Sequence, residues 1–268
     1  MSVGGAAASA GGTAPQVALL RPAMVLKGGK PVIDPRADYV GESDPRNDAF
    51  PVEPLLRHDG ARRPLRSYTW RARTVLDQRG QGACVGFAWA HELIARPHEV
   101  TAIDDSFAVQ TLYFEAQRRD RWPGGQYPGA SPLMAGTSVL AGAKVVKDLG
   151  YIEQYRWAQS LEDLASAIGF LGPAVLGTRM FAGMREPDAA GFIHAAGSRL
   201  GGHALLVVGV RIRPIGGGEP DLNASSFLVQ NSWGPDWGDN GRARITFTEM
   251  SVLLEKAEVC IPVQRGPG

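Results

Sequence analysis

Apolar residues recur along this chain in two rhythms, and the change between them falls past its middle. Residues 85–95 (VGFAWAHELIA) form a helix-compatible apolar stretch, closed by Arg96-Pro97, which stops a helix. Residues 106–119 (SFAVQTLYFEAQRR) place Phe107, Leu112 and Tyr113 or Phe114 at helical intervals, with Ser106 as N-cap and two arginines at the C-terminal end. Residues 139–149 predict a third helix, ended by Gly150. The second half reads differently. Short apolar or alternating runs at 174–178, 203–213, 226–230, 242–248 and 257–263 are separated by Gly, Pro and Asn clusters, and these predict strands. Helices first and strands second imply an α+β architecture in two packed lobes, without internal repeat.

Before residue 55 the pattern fades. Gly, Ala, Ser and Pro dominate, with weak apolar clusters at 17–20 and 32–33 and two Asp-Pro-Arg turns at 34–36 and 44–46. Such a stretch cannot build its own core. The chain therefore divides into an arm, residues 1–54, and one domain, residues 55–268. Three fates are open to the arm: disorder, packing along the domain, or docking on a partner, which would make the chain a subunit of a larger assembly.

Composition narrows the picture. With 28 basic against 27 acidic residues the net charge is +1, which gives no reason to expect a nucleic-acid or membrane surface. Only two cysteines occur, so no disulfide framework holds the fold, and a reducing compartment is the easier reading. No run reaches the ~18 apolar residues of a membrane span. The first fifteen residues carry neither a cation nor an apolar block of signal-peptide length. The expected location is cytoplasmic, or within an assembled particle. No Cys or paired His/Asp spacing predicts a metal site, no phosphate-binding loop predicts a nucleotide, and no cofactor is expected. His91 falls in the first helix, and His58, His98 and His194 in polar or loop-like surroundings. Asp104 and Asp105 read as a helix-entry pair.

The most informative stretch is residues 77–88, DQRGQGACVGFA. Cys84 follows a Gly-rich turn and immediately precedes a helix, whose partial positive end favours the nucleophilic thiolate. A cysteine beside apolar neighbours is more often a core residue. The neighbours elsewhere in the chain shift that balance. Residues 200–210 (LGGHALLVVGV) set His203 at the start of an apolar strand, and residues 226–241 (SFLVQNSWGPDWGDNG) run a strand into Asn231-Ser232-Trp233-Gly234. Cys, His and Asn together supply a nucleophile, a base and an amide that orients the base.

These segments resemble the papain-like (C1-type) family of cysteine peptidases, in a bacterial or phage-type form lacking the usual disulfides. Gln78 stands six residues before Cys84, His203 lies in Gly202-His203-Ala204, Asn231 opens Asn-Ser-Trp-Gly, and Trp237-Gly238-Asp239-Asn240-Gly241 continues it. The resemblance implies a two-lobed fold, with a helical N-terminal lobe, a β-barrel-like C-terminal lobe and the active site in the cleft between them. It implies peptide-bond hydrolysis through a thioester, on a peptide or protein substrate. Cys84 is the implied nucleophile, His203 the acid and base, Asn231 its orienting amide and Trp233 its cover. Gln78 and the Cys84 N–H form the implied oxyanion hole. Gly124 and Gly125 are expected to bind the substrate backbone, and a pocket around residues 130–135 and ahead of His203 to take an apolar side chain.

The departures are as specific. Gln81 replaces the family's bridging cysteine and Val85 the tryptophan after the nucleophile. No helical inhibitory prosegment precedes the domain, and the arm around residues 32–54 is expected to cover the cleft instead. Deamidation or acyl transfer remains open on the same machinery, as does a papain-fold structural or assembly component of a phage or secretion particle. Cys260 is expected to be a buried core residue.

Overall fold

A computed structural model describes residues 34, 36–40, 45–119, 121–122, 125–126, 136–216 and 218–265. Helix α1 (Cys84–Ile94) is buried at every position but its last, as befits a helix apolar on all sides. It ends where Ala95 turns extended, just ahead of Arg96-Pro97. The next helical stretch opens as a π-helix, Phe107–Tyr113, and continues as α2 (Phe114–Arg119). Ser106 is not its cap. That residue already has helical dihedrals, and the Phe107 N–H donates to Asp104 Oδ1 at 2.8 Å, so Asp104 fills the capping role. The π-helix crosses α1 so closely that a Cβ on Gly86 would stand 2.2 Å from the Ala108 carbonyl oxygen. Helix α3 (Val139–Asp148) starts at Ser138, whose hydroxyl accepts from Ala141 N–H, and finishes before Gly150 at φ 82°. Phe87, Trp89, Leu112, Tyr113 and Val146 fill the core these helices enclose.

The second lobe is an antiparallel sheet of seven strands. In chain order they include β1 (Ile152–Trp157), β2 (Ala174–Phe181), β3 (Arg199–Arg211), β4 (Ser226–Gln230), β5 (Arg242–Thr246) and β6 (Glu258–Arg265). They lie side by side as β5-β4-β3-β2-β6-β1, with the two-residue strand Tyr68–Thr69 added to β3. Helices α4 (Leu161–Phe170) and α5 (Phe247–Leu254) pack on this sheet, capped by Ser160 and Thr246. The strand expected over 242–248 stops at Thr246 because that hydroxyl accepts from Glu249 N–H and turns the chain into α5. The strand expected from residue 203 begins at Arg199 instead, so His203 sits within it and not at its start.

Strands β2 and β3 are buried on both faces, and their alternation joins the two lobes. Val175, Ala204, Leu206 and Val208 face the helical core, while Ala174, Leu176, Leu205, Val207 and Val210 face the core under α4 and α5. The described residues before 55 lie against both cores, Tyr39 in the helical one and Ala37 and Val52 in the sheet-side one. Val52 is fully buried in the sheet-side core and its N–H donates to the Trp157 carbonyl. Residues 36–40 run between the lobes. No helix among the described residues is long and apolar enough to cross a membrane.

Candidate active site

The turn before α1 and the edge of β3 bring Cys84 and His203 to the same cleft. Cys84 is the first residue of α1, and Ala204 N–H, next to His203, donates to its sulfur at 3.3 Å. His203 Nε2 lies 2.8 Å from Asn231 Oδ1. The same oxygen accepts Ser232 N–H at 2.8 Å, which identifies it as the carbonyl oxygen, so Nε2 must carry the ring proton. Nδ1 is then the basic nitrogen. It is buried and has no hydrogen-bond partner. Burial lowers the His203 pKa, against the opposing pulls of Asn231 and of the Arg36 backbone, which favours the neutral ring.

Trp233 covers this pair, its ring centroid 5.1 Å from that of His203. Gln78 is buried beneath the Gly-rich turn; its Nε2 points toward the cleft and its Oε1 accepts from Ser232 Oγ at 2.5 Å. Ser232 is thus a further site residue, hidden in the sequence between Asn231 and Trp233. The turn that carries Asn231 also sets Gln78, since Gln78 N–H donates to the Ser232 carbonyl.

The cleft is filled by the chain's own arm. Asp34 pairs with Arg36 at 3.0 Å and with Arg185 at 3.4 Å. The Arg36 guanidinium stacks 3.9 Å over Trp233, and its carbonyl oxygen accepts from Gln78 Nε2 at 3.2 Å. Next, Asp38 Oδ1 meets Cys84 Sγ at 2.9 Å and Cys84 N at 3.1 Å, while Tyr113 Oη donates to Oδ2 at 2.6 Å. Tyr39 N–H donates to the Gly202 carbonyl and Val40 N–H to that of Thr137, each at 3.0 Å, so one extended strand bonds to both walls. The Tyr39 ring fills a pocket beside Gly177 and Val139, where a Cβ on Gly177 would come within 2.4 Å of it. Its hydroxyl donates to Glu258 Oε2 at 3.1 Å. That carboxylate also accepts the Val139 N–H at the start of α3.

With the arm in place Cys84 is held as a thiol. Helix α1 has no side-chain cap of its own, and the Asp38 carboxyl takes that role at its first N–H. Burial, then the Asp38 charge, push the Cys84 pKa well up, reversing what the helix end alone favours.

The remaining expectations resolve differently. Gly124 and residues 130–135 lie outside the described residues. Gly125 pairs with Trp122 in a short hairpin, and the backbone opposite the arm belongs to Thr137. The pocket that holds Tyr39 has Gly177 and Val139 beside the ring and the Glu258 carboxylate at its hydroxyl. Cys84 and Cys260 are both free and buried, so they form no bridge. His91 is a core residue whose Nε2 accepts Leu76 N–H, and burial lowers its pKa to about 3. His98 stands in the turn after α1, as expected, with its side chain buried beside Glu92, 3.7 Å away. His194 bridges Asp188 and Glu249 at 2.9 Å each.

No protein-family model matches the chain. Among curated proteins it is 31% identical over 93 residues to Cathepsin B-like CP1 of Giardia intestinalis, a match covering 33% of this chain and 28% of that one. It is 26% identical over 265 residues to Cysteine protease 1 of Oryza sativa subsp. japonica, covering 87% and 51%. The chain thus spans about half, or less, of the curated relatives it matches. Among solved structures, xylellain, a cysteine protease from Xylella fastidiosa, superimposes with a TM-score of 0.58 at 17% identity, over 88% of this chain and 98% of that one. A digestive procathepsin L2 proteinase from Tenebrio molitor larval midgut does so with 0.55 at 16% identity, over 86% and 79%. The fold is the two-lobed papain-like α+β fold.

Proposed function

We propose that this chain is a cysteine endopeptidase of the disulfide-free papain-like type, hydrolysing peptide bonds through a thioester. The observation that carries the reading is the Arg36 carbonyl oxygen held by Gln78 Nε2, beside a buried Cys84, His203 and Asn231. One of the two donors such an enzyme needs for its oxyanion thus holds a peptide carbonyl, while the other, the Cys84 N–H, is taken by Asp38.

Once the arm withdraws, His203 Nδ1 takes the proton of Cys84 Sγ, and the thiolate gains the α1 N-terminus. The sulfur attacks the scissile carbonyl carbon, and the resulting oxyanion receives hydrogen bonds from Gln78 Nε2 and Cys84 N–H. The imidazolium, kept in orientation by Asn231 Oδ1, gives its proton to the leaving amine as the C–N bond breaks. Water, deprotonated by the same nitrogen, then hydrolyses the thioester and frees the thiol. Gly202 and Thr137 carbonyls bind the substrate backbone as an added strand. The arm restrains the enzyme by occupying that groove. Two free cysteines suit a reducing setting, the cytoplasm or a particle assembled there.

The test is labelling with a thiol-reactive peptide warhead. One adduct on Cys84 is expected, absent in Cys84→Ala and slowed on the order of a hundredfold in His203→Ala. An adduct that persists in Cys84→Ala rejects the nucleophile. Product masses from a peptide mixture separate cleavage from deamidation or acyl transfer, and no product at all would leave an assembly component.

A further inference from the structure

Asp38 is fully buried, and among the described residues only donors meet its carboxyl group. Cys84 Sγ and Cys84 N–H donate to Oδ1 at 2.9 and 3.1 Å, and Tyr113 Oη donates to Oδ2 at 2.6 Å. The direction of the Tyr113 proton is fixed. Its oxygen accepts from Gln117 Nε2 at 3.0 Å and from Gly136 N–H at 2.8 Å, so the proton is left for the cleft. Donors on both oxygens, with no acceptor facing either, suit a carboxylate; a carboxylic acid or an amide would leave a buried proton unbonded. Burial raises the Asp38 pKa to about 6, still short of neutrality, in keeping with that charge.

We propose that Tyr113 Oη and the Cys84 N–H form a carboxylate site beside the nucleophile, filled by Asp38 while the arm is docked and by the new C-terminal carboxylate of the cleaved peptide in the working enzyme. The site itself stands on the geometry; its second occupant rests on the peptidase reading.

The donors belong to the domain, Cys84 to α1 and Tyr113 to the π-helix, with Gln117 on α2 behind it. Asp38 belongs to the arm. When the arm withdraws, Gln117 and Gly136 still hold the Tyr113 hydroxyl, and its proton stays aimed at the vacated spot beside the sulfur. Hydrolysis delivers a matching group to that spot. As water adds across the thioester, its oxygen joins the acyl carbon and the C–S bond breaks. One proton ends on the sulfur, and the other passes to solvent by way of His203 as the acid ionises. What remains is a thiol, a neutral imidazole and a carboxylate. The same three stand together in the docked state, where Cys84 is a thiol, His203 favours the neutral ring and a carboxylate oxygen lies 2.9 Å from the sulfur. Oδ1 stands for the product oxygen at the Cys84 N–H and Oδ2 for its neighbour. A thiolate so close to a carboxylate would be strongly repelled, so the site takes the product only after the sulfur has regained its proton.

The experiment uses the full chain with Asp38→Ala, which empties the site and leaves its donors. Alkylation of Cys84 by iodoacetamide at neutral pH is read by mass spectrometry in acetate and in acetamide, with chloride holding the ionic strength. Acetate should slow alkylation and acetamide should not. The acetate concentration that halves the rate should rise about tenfold or more in Asp38→Ala/Tyr113→Phe, the loss of one hydrogen bond to a charged group. No effect of acetate, an equal effect of acetamide, or a double variant that answers acetate as Asp38→Ala does would each overturn the site. The second occupant is read in Tyr39→Ala, which lacks the ring that anchors the arm. There an acetylated dipeptide should inhibit peptide hydrolysis about tenfold or more better as the free acid than as the C-terminal amide, and adding Tyr113→Phe should remove most of that preference. Equal inhibition by acid and amide would overturn the product's place in the site. Protection by acetate with no peptide hydrolysis in Tyr39→Ala would sink the peptidase reading and leave the carboxylate site standing.

Discussion

Ser232 Oγ donates to Gln78 Oε1 at 2.5 Å, tying the side chain that holds the Arg36 carbonyl to the turn that bears Asn231. Donor and orienting amide are therefore one rigid piece, although the chain separates them widely. Replacing Gln78 by Ala removes one oxyanion donor and should lower kcat by about a hundredfold or more. Ser232→Ala leaves the donor present but unfixed. Its kcat should fall about tenfold, with KM nearly unchanged, in steady-state hydrolysis. An unchanged kcat would mean Gln78 needs no such support.

Asn231 accepts the His203 Nε2–H and so settles which nitrogen is basic. Asn231→Ala frees the ring to rotate and to change tautomer. A loss in kcat/KM on the order of a hundredfold is expected, the low end of what acid–base catalysis contributes. Ring NMR signals should show the mixed tautomers.

Tyr39 anchors the arm by filling the pocket over Glu258. Tyr39→Ala should weaken docking by about 3 kcal/mol, or about a hundredfold in occupancy. Peptide hydrolysis by the full chain should rise accordingly, and exchange at the Val40 amide should quicken. Unchanged activity would show that the arm does not limit access.

His194 lies between two carboxylates, and its pKa is raised, first by its hydrogen bond with Asp188 and then by that with Glu249. The sign is that of a group charged in its native contacts. The tie between the 182–199 loop and α5 is complete at low pH and weakens as pH rises through the raised value. An NMR titration of the ring should place the midpoint above 6.5, and Asp188→Asn should bring it back down.

Gly86 permits the contact between α1 and the π-helix. Gly86→Ala puts a methyl group against the Ala108 carbonyl and Tyr113, and should cost about 2 kcal/mol or more in denaturant unfolding. Since Tyr113 also holds Asp38, the same variant should loosen the arm.

Cys84, His203, Asn231 and Gln78 were legible because each sits in a short local motif whose turn or strand suffices to place it. Asp38 and Tyr113 were not. Their meeting depends on a 75-residue separation closed by tertiary packing, and nothing in the ADYV run marks a carboxylate that will sit on a sulfur. Thr137 was missed for a related reason: a strand-like contact with the arm is invisible until the arm is placed. Helix α4 could have been found, since Ser160 followed by Asp163 is an N-terminal capping signal, and Ser160 does accept the Asp163 N–H. Strand β1 gave less to read, its middle positions being only half buried. The π-helical turn is set by the crossing at Gly86 and has no separate pattern.

The arm bonds through its backbone to Gly202 on one wall of the cleft and to Thr137 on the other, with Tyr39 and Val40 as adjacent donors. The distance between the walls is therefore already that of a single extended chain. A groove shaped on one strand needs no closing movement to grip another, so a newcomer meets a finished mould and the only work left is to evict the strand that cast it.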